Sequence, residues 1–309
     1  MIRVTPMSAY ATFTRNITRL ASDMARLNND IGSGKRVHRP SDDPAAAAQA
    51  VRLRADLDRF AQLDRARGAA EDRLKTTEST LAAVGDVLSQ ARVLAVQGGS
   101  TQGADSRNAI ADGLEGLFQD LATLANTRDG VNYVFAGYAT ETAPFPVTGS
   151  FSSTVPPAST IAVTYAGTSD TTEAEIAPND HATVGWPGDR IFLGGGDPNQ
   201  DLFQILVRVR DAVLSGDTTA VNAELGNLDD AIDHISGARG ELGTELRRVQ
   251  DAEQRLTERK ADLELRLDAA QGVDLVGTVA ELQQRQSAYQ AALSAGSSSL
   301  GLSLLDYLG

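Results

Sequence analysis

Few residues of this sequence are spaced for chemistry, and each group that is lacks a part its chemistry requires. Gly32-Ser33-Gly34-Lys35 carries the glycine and lysine of a loop that wraps a phosphate. Such a loop needs a further glycine where Asn29 stands and a Ser or Thr metal ligand where Arg36 stands. Asp197, Asn199 and Asp201 begin like a calcium loop, but Leu202 holds the position that requires Gly and Arg208 the one that requires Glu. Those acidic residues suit a helix N-terminus instead, where the helix dipole favours negative charge. Gly194-Gly195-Gly196 lacks the strand–turn–helix register of a dinucleotide site and reads as a linker. His38, His181 and His234 fall in a loop, a β segment and a helix, with no ligand or triad spacing among them. Asn16-Ile17-Thr18 matches a glycosylation triplet, but Ile17 belongs to an apolar stripe. With no cysteine in the chain, thiol nucleophiles, disulfides and thiolate metal sites are excluded. No catalytic residue, cofactor site or metal site is expected.

The charge excludes another class. A net charge of −13 and a pI near 4.7 are opposite to the basic surface of a nucleic-acid binder. The charge is also unevenly placed. Residues 1–70 hold 12 Lys and Arg against 7 Asp and Glu, a net of +5, whereas residues 171–309 hold 11 against 23, a net of −12. Ends of opposite sign fit N- and C-terminal helices lying side by side. No stretch reaches the length of a membrane span, and the N-terminus has no apolar core of signal-peptide length. The plain reading is a cytosolic protein, with export by an uncleaved route left open.

At 309 residues the chain can bury a sizeable core, yet aromatics make up only 5% of it, which favours long helices packed through Leu, Ile, Val and Ala. Tyr10, Phe13, Ile17, Leu20, Met24, Leu27 and Ile31 recur at spacings of three and four, an apolar seam that needs a partner helix. Gly32 and Gly34 stop that helix. Pro40 and Pro44 then bracket Ser41, Asp42 and Asp43, giving the next helix a capping residue followed by proline at its first position. A long helical region runs from Pro44 to about Ser100, its stripe interrupted at Arg65, Arg67 and Gly68. Gly98, Gly99 and Gly103 are expected to turn the chain into a third helix. Between Gly130 and Pro198, Tyr133-Val134-Phe135, Ile161 to Tyr165 and Ile191-Phe192-Leu193 read as short strands. Helix returns after Pro198 in stripes at 202–213, 221–235 and 242–267, with Glu253 and Lys260 at two heptad positions of the last. After a break at Gly272, Leu275, Val279, Leu282, Tyr289 and Leu293 form the closing seam.

The expected organisation is therefore mainly α. A coiled-coil helix and elbow occupy 1–43, and the first half of a helical bundle 44–129. A β-rich insertion follows over 130–198, the second half of the bundle over 199–271, and a C-terminal coiled-coil helix over 272–309. A two-helix rod leaves half of its apolar surface uncovered, so the terminal pair is expected to order beside neighbouring copies.

Ser33-Gly34-Lys35-Arg36-Val37 followed by Pro40-Ser41-Asp42-Asp43-Pro44 resembles the N-terminal signature of the flagellin-like hook–filament junction family, the third hook-associated proteins of bacterial flagella. Arg107 to Ile110, Ala125-Asn126-Thr127, Val134-Phe135-Ala136-Gly137 and Ser303 to Leu308 support the likeness, which spans roughly 1–145 and 200–309. Flagellin itself resembles the chain less. Its Arg-Ile-Asn-Ser-Ala run and Asp-Asp-Ala-Ala-Gly-Leu are replaced here by Arg36-Val37-His38-Arg39-Pro40 and by proline after Asp42-Asp43. Pro6 departs from the family's usual small polar residue.

The resemblance implies a non-enzymatic structural subunit of the flagellum, flagellin-like in fold. It implies export through the flagellar type III apparatus with a cytosolic chaperone at the C-terminal helices. The destination would be the extracellular hook–filament junction. The implied partners are further copies of the chain, the neighbouring hook-associated protein on the hook side, and flagellin or its capping assembly on the filament side. Neither nucleic acid nor membrane is among them. The alternatives are a minor flagellin and, from another class, a cytosolic coiled-coil scaffold.

Overall fold

In the computed structural model, residues 6–155, 157 and 159–308 are described, with side chains over 10–155, 157 and 159–296. The chain forms two compact units, one of the residues up to Arg59 with those from Glu258 onward, the other of Phe60–Thr257. The side chains of the closing 303–308 signature, and residues 1–5, lie outside the described set.

The first unit holds α1 (Pro6–Ser33), the start of α2 (Pro44–Ser100), the end of α6 (Thr218–Gln271) and α7 (Leu275–Leu308). Here α1 packs along α7.

The second unit carries the main core. Its α2 portion buries Ala70, Leu74, Thr77, Leu81, Val84, Leu88, Ala91 and Ala95 at alternating spacings of four and three, an unbroken heptad seam. In α6, Val221, Leu228, Ile235, Leu242 and Val249 are buried at every seventh residue, and Leu256, Leu263 and Ala270 continue the series. This is one helix of 54 residues, where the stripes at 221–235 and 242–267 suggested two. Gly226, Gly237, Gly240 and Gly243 do not break it, since the packing of the heptad face outweighs their propensity cost.

Helix α3 (Ala104–Ala125) packs against α5 (Leu202–Ser215). The expected turn at Gly98 and Gly99 is corrected, because both lie within α2. They are close-approach sites: a Cβ on Gly98 would sit 2.5 Å from Cγ2 of Val213. Asp201 caps α5 by accepting from the N–H groups of Phe203 and Gln204, both at 3.0 Å, so the abortive calcium loop is a helix start.

Among the described residues, three antiparallel two-stranded ribbons interrupt the helices: β1 (Arg128–Asp129) with β2 (Asn132–Tyr133), β3 (Val147–Thr148) with β4 (Ala162–Val163), and β5 (Thr172–Ala177) with β6 (Asp180–Gly185). The β5–β6 hairpin turns at Pro178-Asn179, with Asn179 at φ +59°. Ile191-Phe192-Leu193 is not a strand. Gly188–Phe192 forms a short helix, α4, begun after Pro187 and burying Ile191 and Phe192. The few aromatics are concentrated rather than scattered. Phe118, Phe135, Phe145, Phe151, Phe192 and Phe203 meet in a chain of ring contacts with centroids 5.0–6.2 Å apart.

Candidate assembly site: the elbow and the terminal seam

The elbow between α1 and α2 is fixed by backbone chemistry. Gly34 sits at φ +68°, the left-handed conformation that ends a helix without the Cβ strain other residues incur. Lys35 then forms an antiparallel bridge with Gly272 at the junction of α6 and α7. The Arg36 N–H donates to the Gln271 carbonyl at 2.8 Å, and the Val273 N–H to the Gly34 carbonyl at 3.2 Å. Two glycine breaks far apart in sequence are thereby tied together. Ser33 Oγ donates to the Asn29 carbonyl at 2.8 Å and accepts from the Lys35 N–H.

The acidic pair has two different tasks. Asp42 accepts from the N–H groups of Arg39 (2.8 Å) and His38 (3.1 Å), closing the turn through Pro40 and Ser41. The Arg39 bond in particular holds the Asp42 carboxyl below the ordinary carboxylate range, against a smaller opposing pull of burial. Asp43 caps α2 by accepting from the Ala46 N–H at 3.0 Å and pairs with Arg36 at 3.3 Å. The Ala46 bond is the largest cause of its lowered pKa. Pro44 is the first residue of α2, where its missing N–H has no partner to lose.

Two residues that sequence reasoning passed over complete the joint. Asp30 is buried on α1 and lies 2.8 Å from Nε2 of His38. Its one sequence signal is a carboxylate beside the seam residue Ile31. Arg54 donates to Oε1 of Gln271, a contact between α2 and α6 that nothing in the sequence announces.

On α1, Leu27 is fully buried, Phe13, Ile17, Leu20, Met24 and Ile31 are half-buried, and Tyr10 is exposed. On α7 the inward line is Thr278, Leu282, Arg285, Tyr289, Ala292 and Gly296, again a heptad spacing. A Cβ on Gly296 would come within 2.2 Å of the Phe13 ring. Leu282 and Tyr289 belong to this line, whereas Leu275, Val279 and Leu293 lie beside it and are exposed. The expected C-terminal stripe is thus divided, part of it against α1 and part uncovered. Among the described residues, Arg285 pairs with Asp23 across the two helices at 3.6 Å, which places the base on α7 and the acid on α1. That is opposite to the sense suggested by net charge, because local pairing follows which side chains face each other rather than segment totals.

His234 Nε2 donates to the Arg190 carbonyl at 3.1 Å, and His38 pairs with Asp30. Among the described residues no three His, Cys, Asp or Glu side chains are grouped to hold a metal.

The family model for the bacterial flagellin N-terminal helical region matches residues 5–140. Flagellar hook-associated protein 3 of Escherichia coli K12 is 28% identical over 325 residues, covering 98% of this chain and 98% of its own length. Its Salmonella typhimurium counterpart is 27% identical over 326 residues, with 98% of each chain covered. Among solved structures, the flagellar junction protein of Legionella pneumophila has a TM-score of 0.57 at 15% identity, covering 72% of this chain and 99% of that chain; it shares the fold. Over nearly its whole length this chain is thus similar to flagellar hook-associated proteins 3, and over residues 5–140 to the flagellin N-terminal helical region.

Proposed function

We propose that this chain is the structural, non-enzymatic subunit that joins the flagellar hook to the filament. The match to flagellar hook-associated protein 3 over 98% of both chains carries the reading. The exposed apolar positions Tyr10, Leu275, Val279 and Leu293, set beside an already paired seam, support assembly through the terminal helices. Among the described residues no helix is long and apolar enough to cross a membrane. Type III export, a chaperone at the C-terminal helices, and contacts with a hook-associated protein on one side and flagellin or its cap on the other complete the proposal. The absence of cysteine fits unfolded passage followed by refolding outside the cell.

A deletion strain tests it. Complete hooks, no filament and flagellin shed into the medium are expected, and a normal or merely shortened filament overturns the junction role in favour of a minor flagellin. Leu293→Asp, at an exposed position, is expected to leave the fold intact and block incorporation. Its appearance in working flagella would remove the stripe from the assembly surface.

A further inference from the structure

A cavity of about 300 Å³ lies at the elbow, with Val37, Ala50 and Val51 in its wall beside Lys35 and Arg39. Val51 is 63% exposed there, an aliphatic side chain left in water. Among the described residues neither the Lys35 ammonium nor the Arg39 guanidinium forms an ion pair with a carboxylate, although Arg39 lies close enough to Asp42 to help lower its pKa. Such a site suits an aliphatic side chain flanked by negative charge.

The same unit displays that combination on α6. Leu265, on the C-terminal part of α6, is 72% exposed. Glu264 precedes it, and Asp268 lies one turn further on the same face. Neither carboxylate has a cationic partner among the described residues. The neighbouring Arg266 is already bound to Asp262 at 3.1 Å, which leaves the surroundings of Leu265 net acidic.

We propose that Leu265 of one copy of this chain enters the elbow cavity of the next, with Glu264 and Asp268 meeting Lys35 and Arg39 there. The inference rests on the assembly reading above and specifies one of its contacts. Burial of Leu265 and Val51 supplies the attraction, and these charges fix orientation and register. Each copy offers one leucine knob and one cavity, so the contact is heterologous. It propagates from copy to copy along a ring or helix instead of closing as a two-fold dimer. It also gives the segregated charge of the chain an intermolecular use, since the α1–α7 ion pair does not draw on it.

The cysteine-free chain allows a direct test. Two full-length variants, a size-tagged Val51→Cys and an untagged Leu265→Cys, are co-expressed in cells deleted for the native gene, and purified flagella are oxidised. A mixed disulfide dimer is expected, and a covalent ladder from the chain carrying both changes. Incorporation of both variants without a mixed dimer overturns the contact while leaving the junction role standing. Cross-linking of Val51→Cys to a different protein overturns it as well. A wild-type chain absent from flagella removes the reading beneath it. Where the cysteine variants fail to incorporate, charge reversal decides. Lys35→Glu with Arg39→Glu is expected to lower incorporation about tenfold, and Glu264→Lys with Asp268→Lys in the same chain to restore it. Failure to restore refutes the pairing.

Discussion

Arg210, on α5, is only 3% exposed and holds the β insertion against the helices of the second unit. One Nη1 donates to the Ser152 carbonyl at 2.6 Å and to Asp211 Oδ1 at 2.9 Å, and Ser159 Oγ donates to the same carboxylate oxygen at 2.9 Å. Glu115 of α3 lies 3.8 Å from Nη2, and the guanidinium covers the Phe151 ring at 5.0 Å. Arg210→Ala would remove a buried cation and leave these acceptors unmatched. Breaking one side of a fully buried ion pair costs about 3–5 kcal/mol. The Glu115 and Asp211 side chains are 34% and 22% exposed, so water recovers part of that. Nε is buried without a partner, which lowers the residue's net contribution further. The expected loss is about 2–3 kcal/mol. With a urea slope of about 2–3 kcal/mol per molar, the midpoint falls by about 1 M. Trp186, the one tryptophan, is buried in the same core and reports the transition by fluorescence. Hydrogen exchange at the Ser152 amide, which donates to Ser159 Oγ, should accelerate in parallel. A loss below about 0.5 kcal/mol, or a lowered midpoint with Ser152 still protected, would refute Arg210 as the anchor of the insertion.

Burial raises the pKa of Asp201 above its ordinary 3.8, outweighing the lowering by the Gln204 and Phe203 N–H groups. A raised folded pKa means the folded state holds the proton more tightly, so this group favours folding below the unfolded pKa and that advantage disappears as pH rises through the folded one. Asp201→Asn keeps the cap without the charge, and should gain stability relative to the parent at pH 7, with the difference shrinking below pH 4 in urea titrations. Gly98→Ala should destabilise by about 1–2 kcal/mol because its new methyl meets Val213, while Gly226→Ala, with nothing within 4 Å, should stabilise by about 0.5–1 kcal/mol; thermal melts showing the same sign for both would contradict the packing argument. Arg67→Leu combined with Glu253→Leu should leave stability within about 1 kcal/mol of the parent yet broaden the distance between spin labels at Glu78→Cys and Arg239→Cys, positions whose side chains are 2.7 Å apart in the native chain.

The helices and the elbow were legible because their causes are local: heptad spacing, glycine stops, and proline with an acidic cap. The contacts completing the joint were not, because Arg54 with Gln271 and Lys35 with Gly272 bring together residues more than 200 positions apart. The β region was read by apolar runs, which misplaced Ile191-Phe192 as a strand. Only packing against the phenylalanine cluster distinguishes a buried helical turn from a buried strand at that length. The β5–β6 hairpin was missed because Thr172–Ala177 carries two glutamates and an unremarkable apolar content, its signal confined to the Pro178-Asn179 turn.

Arg67 and Glu253 each looked like a flaw in a heptad stripe, and in the folded chain they are partners at 3.4 Å. Arg67 is buried at a seam position of α2; burial pulls its pKa down, but bonds to Glu71 at 2.8 Å and Asp64 at 3.2 Å outweigh that and keep it charged. A leucine in its place would pack at least as well, so the pair is not retained for stability. The alternative is register. On α2 and α6 the buried residues repeat every seventh position, and an apolar repeat that regular is nearly as well satisfied after a slip of one heptad, about 10 Å along the helix. A slip would part Arg67 from Glu253, a half-exposed pair worth up to about 1 kcal/mol, while Glu71 and Asp64 stay beside it on α2. A polar residue at one seam position is the device by which coiled coils choose among otherwise equivalent alignments. On this reasoning the doubly substituted chain folds as stably but less uniquely. A single narrow label distance in it would show that the Arg92–Asp229 pair and the insertion set the register unaided.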